Sequence, residues 1–219
     1  MNRIDTTMDD MANTKFLTLY SGLIKQFTTT MDFTYNEVVC LLIVYYKFVQ
    51  INGPSAKQMK KKQLHSIFLV LFRIHDVTII ERILLNITAD VIYVSPEAWM
   101  QMFSVFLSKN LEERMKFAFQ VYTSSTQGVL NRETVGMAIA KFFVDDDDDE
   151  ILELRADMCE FIFNKFDVDK DGIISYEEYS EIVTQQPDLL QFLGQVFPDA
   201  SDKTVIAYCA NIASLFPED

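Results

Sequence analysis

Apolar residues recur along this chain at spacings of three and four, which predicts a protein built of helices. Residues 1–14 are polar and rich in Met, Asp and Thr, and read as a loose tail. Phe16, Leu19, Tyr20, Leu23, Ile24 and Phe27 then mark an amphipathic helix that ends at Thr28–Thr30. Tyr35 to Ile51 is too apolar all round to lie exposed, and Asn52-Gly53-Pro54-Ser55 breaks it. Leu64 to Ile74 is a further helix, and Asp76 to Ile87 another, with Asp76 near its cap. Ser95-Pro96-Glu97 opens the next: Ser95 can accept from free N–H groups of the first turn, and Pro96 suits that turn. Its stripe is Trp99, Met102, Phe103, Phe106 and Leu107. Leu111 to Tyr122 follows, with Met115, Ala118, Phe119 and Tyr122 inward, and a turn at Gly128 leads to a helix from about Asn131 to Phe143.

The run Asp145–Asp149 plus Glu150 sets six carboxylates side by side. Their mutual repulsion predicts an exposed linker, and the last of them favour the N-terminal end of the next helix. That reading is preferred to an acidic partner-binding tract or a second cation site. Met158, Phe161, Ile162 and Phe166 mark the helix after it, and Tyr176, Tyr179, Ile182 and Val183 another beyond a polar loop. Pro187 to Val196 carries Leu189, Leu190, Phe192, Leu193 and Val196; past Pro198–Asp202 a last helix shows Val205, Cys209, Ile212 and Phe216 on one face. These residues need an apolar surface, and the chain's own groove is preferred to a partner's.

The polar loop carries the chemistry. In Asp167-Val168-Asp169-Lys170-Asp171-Gly172-Ile173-Ile174-Ser175-Tyr176-Glu177-Glu178, carboxylates stand at positions 1, 3, 5 and 12 and glycine at 6. This is the EF-hand pattern. Ca²⁺ takes about six to eight oxygen ligands, and alternate residues of a curled loop supply them. Asp167, Asp169 and Asp171 would give one oxygen each, Ile173 its carbonyl, Ser175 a water-mediated contact, and Glu178 both carboxylate oxygens. Gly172 permits the positive φ that the turn demands. Ile174, at position 8, belongs in a short strand facing a partner loop.

Aligning on position 8 exposes an internal repeat. Leu130 takes that position in Thr123–Thr134, where Gly128 falls at 6 and Thr123, Ser125, Gln127 and Thr134 replace the ligands. Going 36 residues back, Val94 takes it in Ile87–Ala98, where Asp90 falls at position 4 and no ligand position is acidic. A further step reaches Met59, where a loop of this type is hardly recognisable. The predicted fold class is therefore all-α: four helix–loop–helix (EF-hand) units in two paired lobes, three loops degenerate, plus C-terminal helices. The expected boundaries are a tail over 1–14, a non-binding pair over 15–108, a pair over 109–186 whose second loop binds Ca²⁺, and a helical tail over 187–219.

Composition narrows the partners. Of 219 residues, 49% are hydrophobic and the formal charge is −13, which argues against disorder and against nucleic acid as a partner. Cys40, Cys159 and Cys209 are widely spaced and read as reduced, buried thiols of an intracellular protein. No segment resembles a signal peptide, Asn2 stands where myristoylation needs glycine, and no apolar run is long enough to span a bilayer, so a soluble protein without a membrane anchor is expected. Lys57, Lys60, Lys61 and Lys62 form the single basic cluster, read as a solvated loop with a binding patch as the alternative. His65 and His75 read as structural. Without a nucleophile–base pair, a phosphate-binding glycine loop or a zinc signature, no enzyme is expected.

The four-unit layout resembles the neuronal calcium sensor superfamily and, within it, the calaxin family of EF-hand proteins associated with axonemal outer-arm dynein. Leu111-Glu112-Glu113-Arg114-Met115-Lys116, the Asp167–Glu178 loop, and Leu189-Leu190-Gln191-Phe192-Leu193-Gly194 ending in Phe197-Pro198-Asp199 carry the resemblance. It implies a Ca²⁺-responsive adaptor in the cytoplasm and cytoskeleton of the cilium or flagellum. Its partners would be outer dynein arm or docking-complex proteins, with a microtubule-associated protein as a further candidate. A calcineurin-B-like or channel-interacting regulatory subunit, or a purely structural axonemal adaptor, are the alternatives.

Overall fold

The computed structural model describes residues 5, 8–124, 128–143 and 149–199. The all-α expectation holds: the described residues form nine α-helices and two short ladders of two residues per strand. The chain divides into two compact units. The first holds the described residues up to His75, Ile87–Leu107 and the described residues from Phe197; the second holds Asp76–Asn86 and the described residues of Ser108–Val196.

In the first unit, α1 (Asp10–Thr30) and α2 (Tyr35–Ile51) are followed by β1 (Met59–Lys60) and α3 (Lys61–Val70). α1 begins inside the stretch expected to be loose. The Asp9 carboxylate accepts from the Ala12 N–H at 2.7 Å, and buried Asn13 donates to the carbonyls of Asp5 and Met8. Asp5 also pairs with Lys47 of α2 at 2.5 Å. Local polar bonds, rather than apolar periodicity, order this segment.

The expectation for α2 is met. Val38, Leu41, Leu42 and Tyr45 are fully buried, because α2 packs between α1 and α5 (Pro96–Leu107). Trp99 of α5 donates its indole N–H to the Leu41 carbonyl at 3.0 Å, so its one polar atom is satisfied inside the core. α3 stops at Val70 instead of running to Ile74; Arg73 turns the chain with φ +53°, yet Phe72 and Ile74 remain buried. Apolar spacing past a helix end imitates helix here. β2 (Tyr93–Val94) pairs antiparallel with β1, placing Met59 opposite Val94.

In the second unit, α6 (Leu111–Tyr122) packs against α9 (Tyr176–Gln185), and α7 (Arg132–Ala140) against α8 (Asp149–Phe166). β3 (Leu130–Asn131) pairs with β4 (Ile173–Ile174), Leu130 opposite Ile174. α4 (Val77–Ile87), expected in the first pair, lies up to Asn86 in this unit. Asp76 caps it through the N–H groups of Thr78 and Ile79 and pairs with Lys141 at 3.0 Å. Arg82 donates to the Tyr122 carbonyl at 3.1 Å and Asn86 to the Ser124 hydroxyl at 2.8 Å.

The segment after α9 is a 3-10 turn over Pro187–Gln191 followed by irregular chain, not the helix that the spacing to Val196 suggests. It packs on α6 and α9 all the same. Phe192 stacks on Phe166 with centroids 4.3 Å apart, and Leu190, Leu193 and Val196 are buried. Met115, Phe119 and Phe166 are buried, whereas Met137 and Phe161 are 53% and 70% exposed. Met158 is also exposed, so the inward face of α8 is carried by Ile162, Phe163 and Phe166. The acidic run through Asp148, the stretch Ser125–Gln127 and the last predicted helix with Cys209 lie outside the described residues.

Candidate metal centre

The loop Asp167–Glu178 leaves α8 at its last turn and enters α9 at its first. Asp167 is only 3% exposed, although it is a carboxylate. Its Oδ2 accepts from the Gly172 N–H at 3.1 Å, while Oδ1 is buried and without a hydrogen-bond partner among the described residues. Asp169 Oδ1 accepts from the Asp171 N–H at 3.1 Å, and Asp171 Oδ1 from the Ile173 N–H at 2.9 Å. Successive Asx turns thus wind the loop so that one oxygen of each aspartate lies within 4.8 Å of the others. Gly172, with φ +86°, makes the turn, and Lys170 at position 4 is also left-handed, with φ +62°.

Glu178 closes the ring. Its Oε1 accepts from the N–H groups of Val168 and Asp169 at 2.8 and 3.4 Å, and its Oε2 from the N–H and hydroxyl of Ser175 at 2.9 and 2.8 Å. Partial burial pushes the Glu178 carboxyl upward, but the Ser175 N–H and hydroxyl and the Val168 and Asp169 N–H groups outweigh it and hold it below the usual glutamate range. The Ser175 hydroxyl also accepts from the Glu178 N–H, which makes Ser175 the N-cap of α9. The sequence reading missed that role, although a serine three residues before a glutamate is the capping-box signature. The capped hydroxyl keeps one lone pair for a water.

This donor set fits Ca²⁺. A buried carboxylate oxygen with no partner is costly in the absence of a cation, and three further carboxylates converge around the same loop. Asp167, Asp169, Asp171, Ile173, Ser175 and Glu178 are the residues that would hold the ion. An ion bound there would supply positive charge, which would offset the repulsion among these carboxylates at the junction of α8 and α9.

In the other three loops the described residues are held by hydrogen bonds of their own. In the third, Gly128 repeats the φ of +86° seen at Gly172; Thr123 donates its hydroxyl to the Phe119 carbonyl at 2.7 Å, and Asn131 caps α7 by accepting from the Thr134 N–H. In the second, Asp90 accepts from the N–H groups of Tyr93 and Ile92, which hold its carboxyl below the usual range. The first, hardly recognisable in sequence, keeps the frame. Asn52 at position 1 donates to Gln63 Oε1 at position 12 across 2.8 Å, and the Lys60 N–H reaches the same oxygen at 2.9 Å. Amides replace the aspartate and glutamate of a binding loop and bond to each other directly. The signal that could have found this loop is the pairing of Asn with Gln at that spacing.

Paired helix–loop–helix units with one acidic loop define an EF-hand protein, and the family model for an EF-hand domain pair matches residues 112–184. Beyond that pair, the chain is calaxin-like. It is similar to calaxin of Xenopus laevis, 27% identical over 195 residues covering 86% of this chain and 88% of that protein. Human calaxin is 27% identical over 74% of this chain and 79% of its own length. Calaxin of Danio rerio is 32% identical over 120 residues, and the matched region spans 55% of that protein.

Proposed function

We propose that this protein is a non-enzymatic Ca²⁺ sensor and adaptor of axonemal outer dynein arms and their docking complex, where it tunes ciliary or flagellar motility. The observation that carries the Ca²⁺ part is the buried, unpartnered Oδ1 of Asp167 inside a ring of carboxylates. Similarity to calaxin over most of the chain supports the axonemal part. The ion acts on α9 through Glu178. The next residue, Tyr179, holds the Leu190 carbonyl, and Tyr122 holds that of Gly194. Ca²⁺ thereby biases how firmly the Leu189–Val196 segment sits on α6 and α9, and a partner helix competes with that segment. The bias can be no larger than the difference in Ca²⁺ affinity between the two states.

Pull-down from isolated axonemes, with Ca²⁺ and with chelator, tests the location; recovery of outer-arm or docking-complex components is expected, and their absence in both conditions refutes it. Hydrogen exchange tests the device. Ca²⁺-dependent protection should be confined to about residues 150–200, and equal change across 35–107 sinks it.

A further inference from the structure

The second loop has lost its ligands and gained something else. Val91, Ile92 and Tyr93 occupy positions 5 to 7, the middle of a binding loop, and they are 85%, 58% and 40% exposed. Three consecutive exposed apolar side chains are unusual on a water-facing turn. They are also held firmly. Asp90 fixes the N–H groups of Ile92 and Tyr93, the Lys61 N–H bonds the Ile92 carbonyl at 2.8 Å, and the Lys61 ammonium reaches the Asp90 carbonyl at 3.0 Å.

Charge surrounds the tip. Lys60 is paired with Tyr93 across the β1–β2 ladder, and paired residues project to the same face. Lys57 and Lys62 are exposed on either side of that strand. The carboxylate nearest the tip, Asp90, is already committed to two N–H groups. In a chain of net charge −13, a lysine cluster around an apolar tip makes one end of this unit strongly different from the rest.

We propose that the paired first and second loops form a docking surface for an anionic lipid interface, with Val91, Ile92 and Tyr93 entering the headgroup boundary and Lys57, Lys60 and Lys62 contacting phosphates. A convex apolar tip needs a partner that can deform around it, which a bilayer surface does. Lysines, as flexible point charges, suit scattered headgroup phosphates, whereas planar carboxylate pairing favours arginine, absent from this cluster. A second copy of the chain is disfavoured, because a two-fold contact would set lysine against lysine. The inference is independent of the dynein reading and of the ion site.

The test is sedimentation of the full chain, in chelator, with vesicles of phosphatidylcholine and phosphatidylserine in a three-to-one ratio, and with pure phosphatidylcholine. Binding is expected to the anionic vesicles only and to weaken with salt. Each lysine should contribute about five-fold, so Lys60→Glu with Lys62→Glu should cost more than ten-fold. Val91→Asp, on an open side chain that the fold does not need, should also abolish binding. Leu154→Asp, an exposed apolar position of α8, should leave it unchanged. Lack of binding to anionic vesicles overturns the proposal, as does equal binding to neutral ones. Loss on lysine reversal without loss in Val91→Asp overturns it too, since mere charge adhesion behaves that way.

Discussion

Tyr179 donates its hydroxyl to the Leu190 carbonyl at 2.8 Å, one residue after Glu178 places its carboxylate across the ion loop. The first turn of α9 therefore faces the loop with one side chain and the following segment with the next. Tyr179 is fully buried, and burial pushes its hydroxyl well above the usual tyrosine range, so it stays a neutral donor. Tyr179→Phe should cost about 0.5–1.5 kcal/mol for the lost bond, and more where the Leu190 carbonyl stays dry. Chemical denaturation reads the stability, and faster exchange of the amides of 187–196 should accompany the loss.

Titration calorimetry should find one Ca²⁺ per chain, with affinity in the sensor range of about 10⁻⁷–10⁻⁵ M. Glu178→Gln should weaken binding most, because it removes a charge and the bidentate closure. Thr123→Ala should leave affinity nearly unchanged, since that hydroxyl serves the Phe119 carbonyl. Two tight sites would contradict the account of the other three loops.

Lys170 offers a gain. A left-handed backbone costs a side-chain-bearing residue about 1–2 kcal/mol, while glycine adds about 0.4–1 kcal/mol of chain entropy to the unfolded state. Lys170→Gly should therefore stabilise the ion-free protein by up to about 1 kcal/mol, read as a raised melting temperature in chelator. A lowered melting temperature would show that the Lys170 side chain contributes more than its backbone costs.

Partial burial pushes the Asp76 carboxyl upward, but the Lys141 ammonium and the N–H groups of Ile79 and Thr78 prevail and hold it below the usual range. A depressed folded-state value stabilises the protein above the unfolded aspartate value of about 3.9, and that contribution is lost as the pH falls through the folded value. Asp76→Asn should therefore destabilise at neutral pH, and the difference from the parent protein should shrink as melting is followed down toward pH 3. A gap that stays constant with pH would assign the effect to the cap alone.

Much of this fold was legible in the chain. Aligning Leu130 with Ile174 on position 8 and stepping back by about 35 residues named Val94 and Met59, and these four are the residues that pair in the two ladders, because position 8 is where loops must meet. α2 and α6 fall at the predicted ends. Other features were hidden for physical reasons. Periodicity tells which residues share a helix face but not what that face meets, so Met158 and Phe161, which mark α8 in the sequence, lie exposed. The placement of α4 in the second unit depends on Asp76, Arg82 and Asn86, polar residues whose partners lie roughly 40–65 positions away in the chain. The ion loop itself was readable because each of its ligands sits within twelve residues. The cap role of Ser175 and the unpartnered oxygen of Asp167 needed coordinates.

The bond between Asn52 and Gln63 has a practical meaning. A loop fastened by its own amides has no ion to lose, so chelation cannot loosen it and a rise in Ca²⁺ cannot tighten it. A partner held by the first unit would be held alike at low and high Ca²⁺. A cell that wanted this protein to let go would have to act by other means, such as competition or modification, and the ion would remain a signal about the second unit alone.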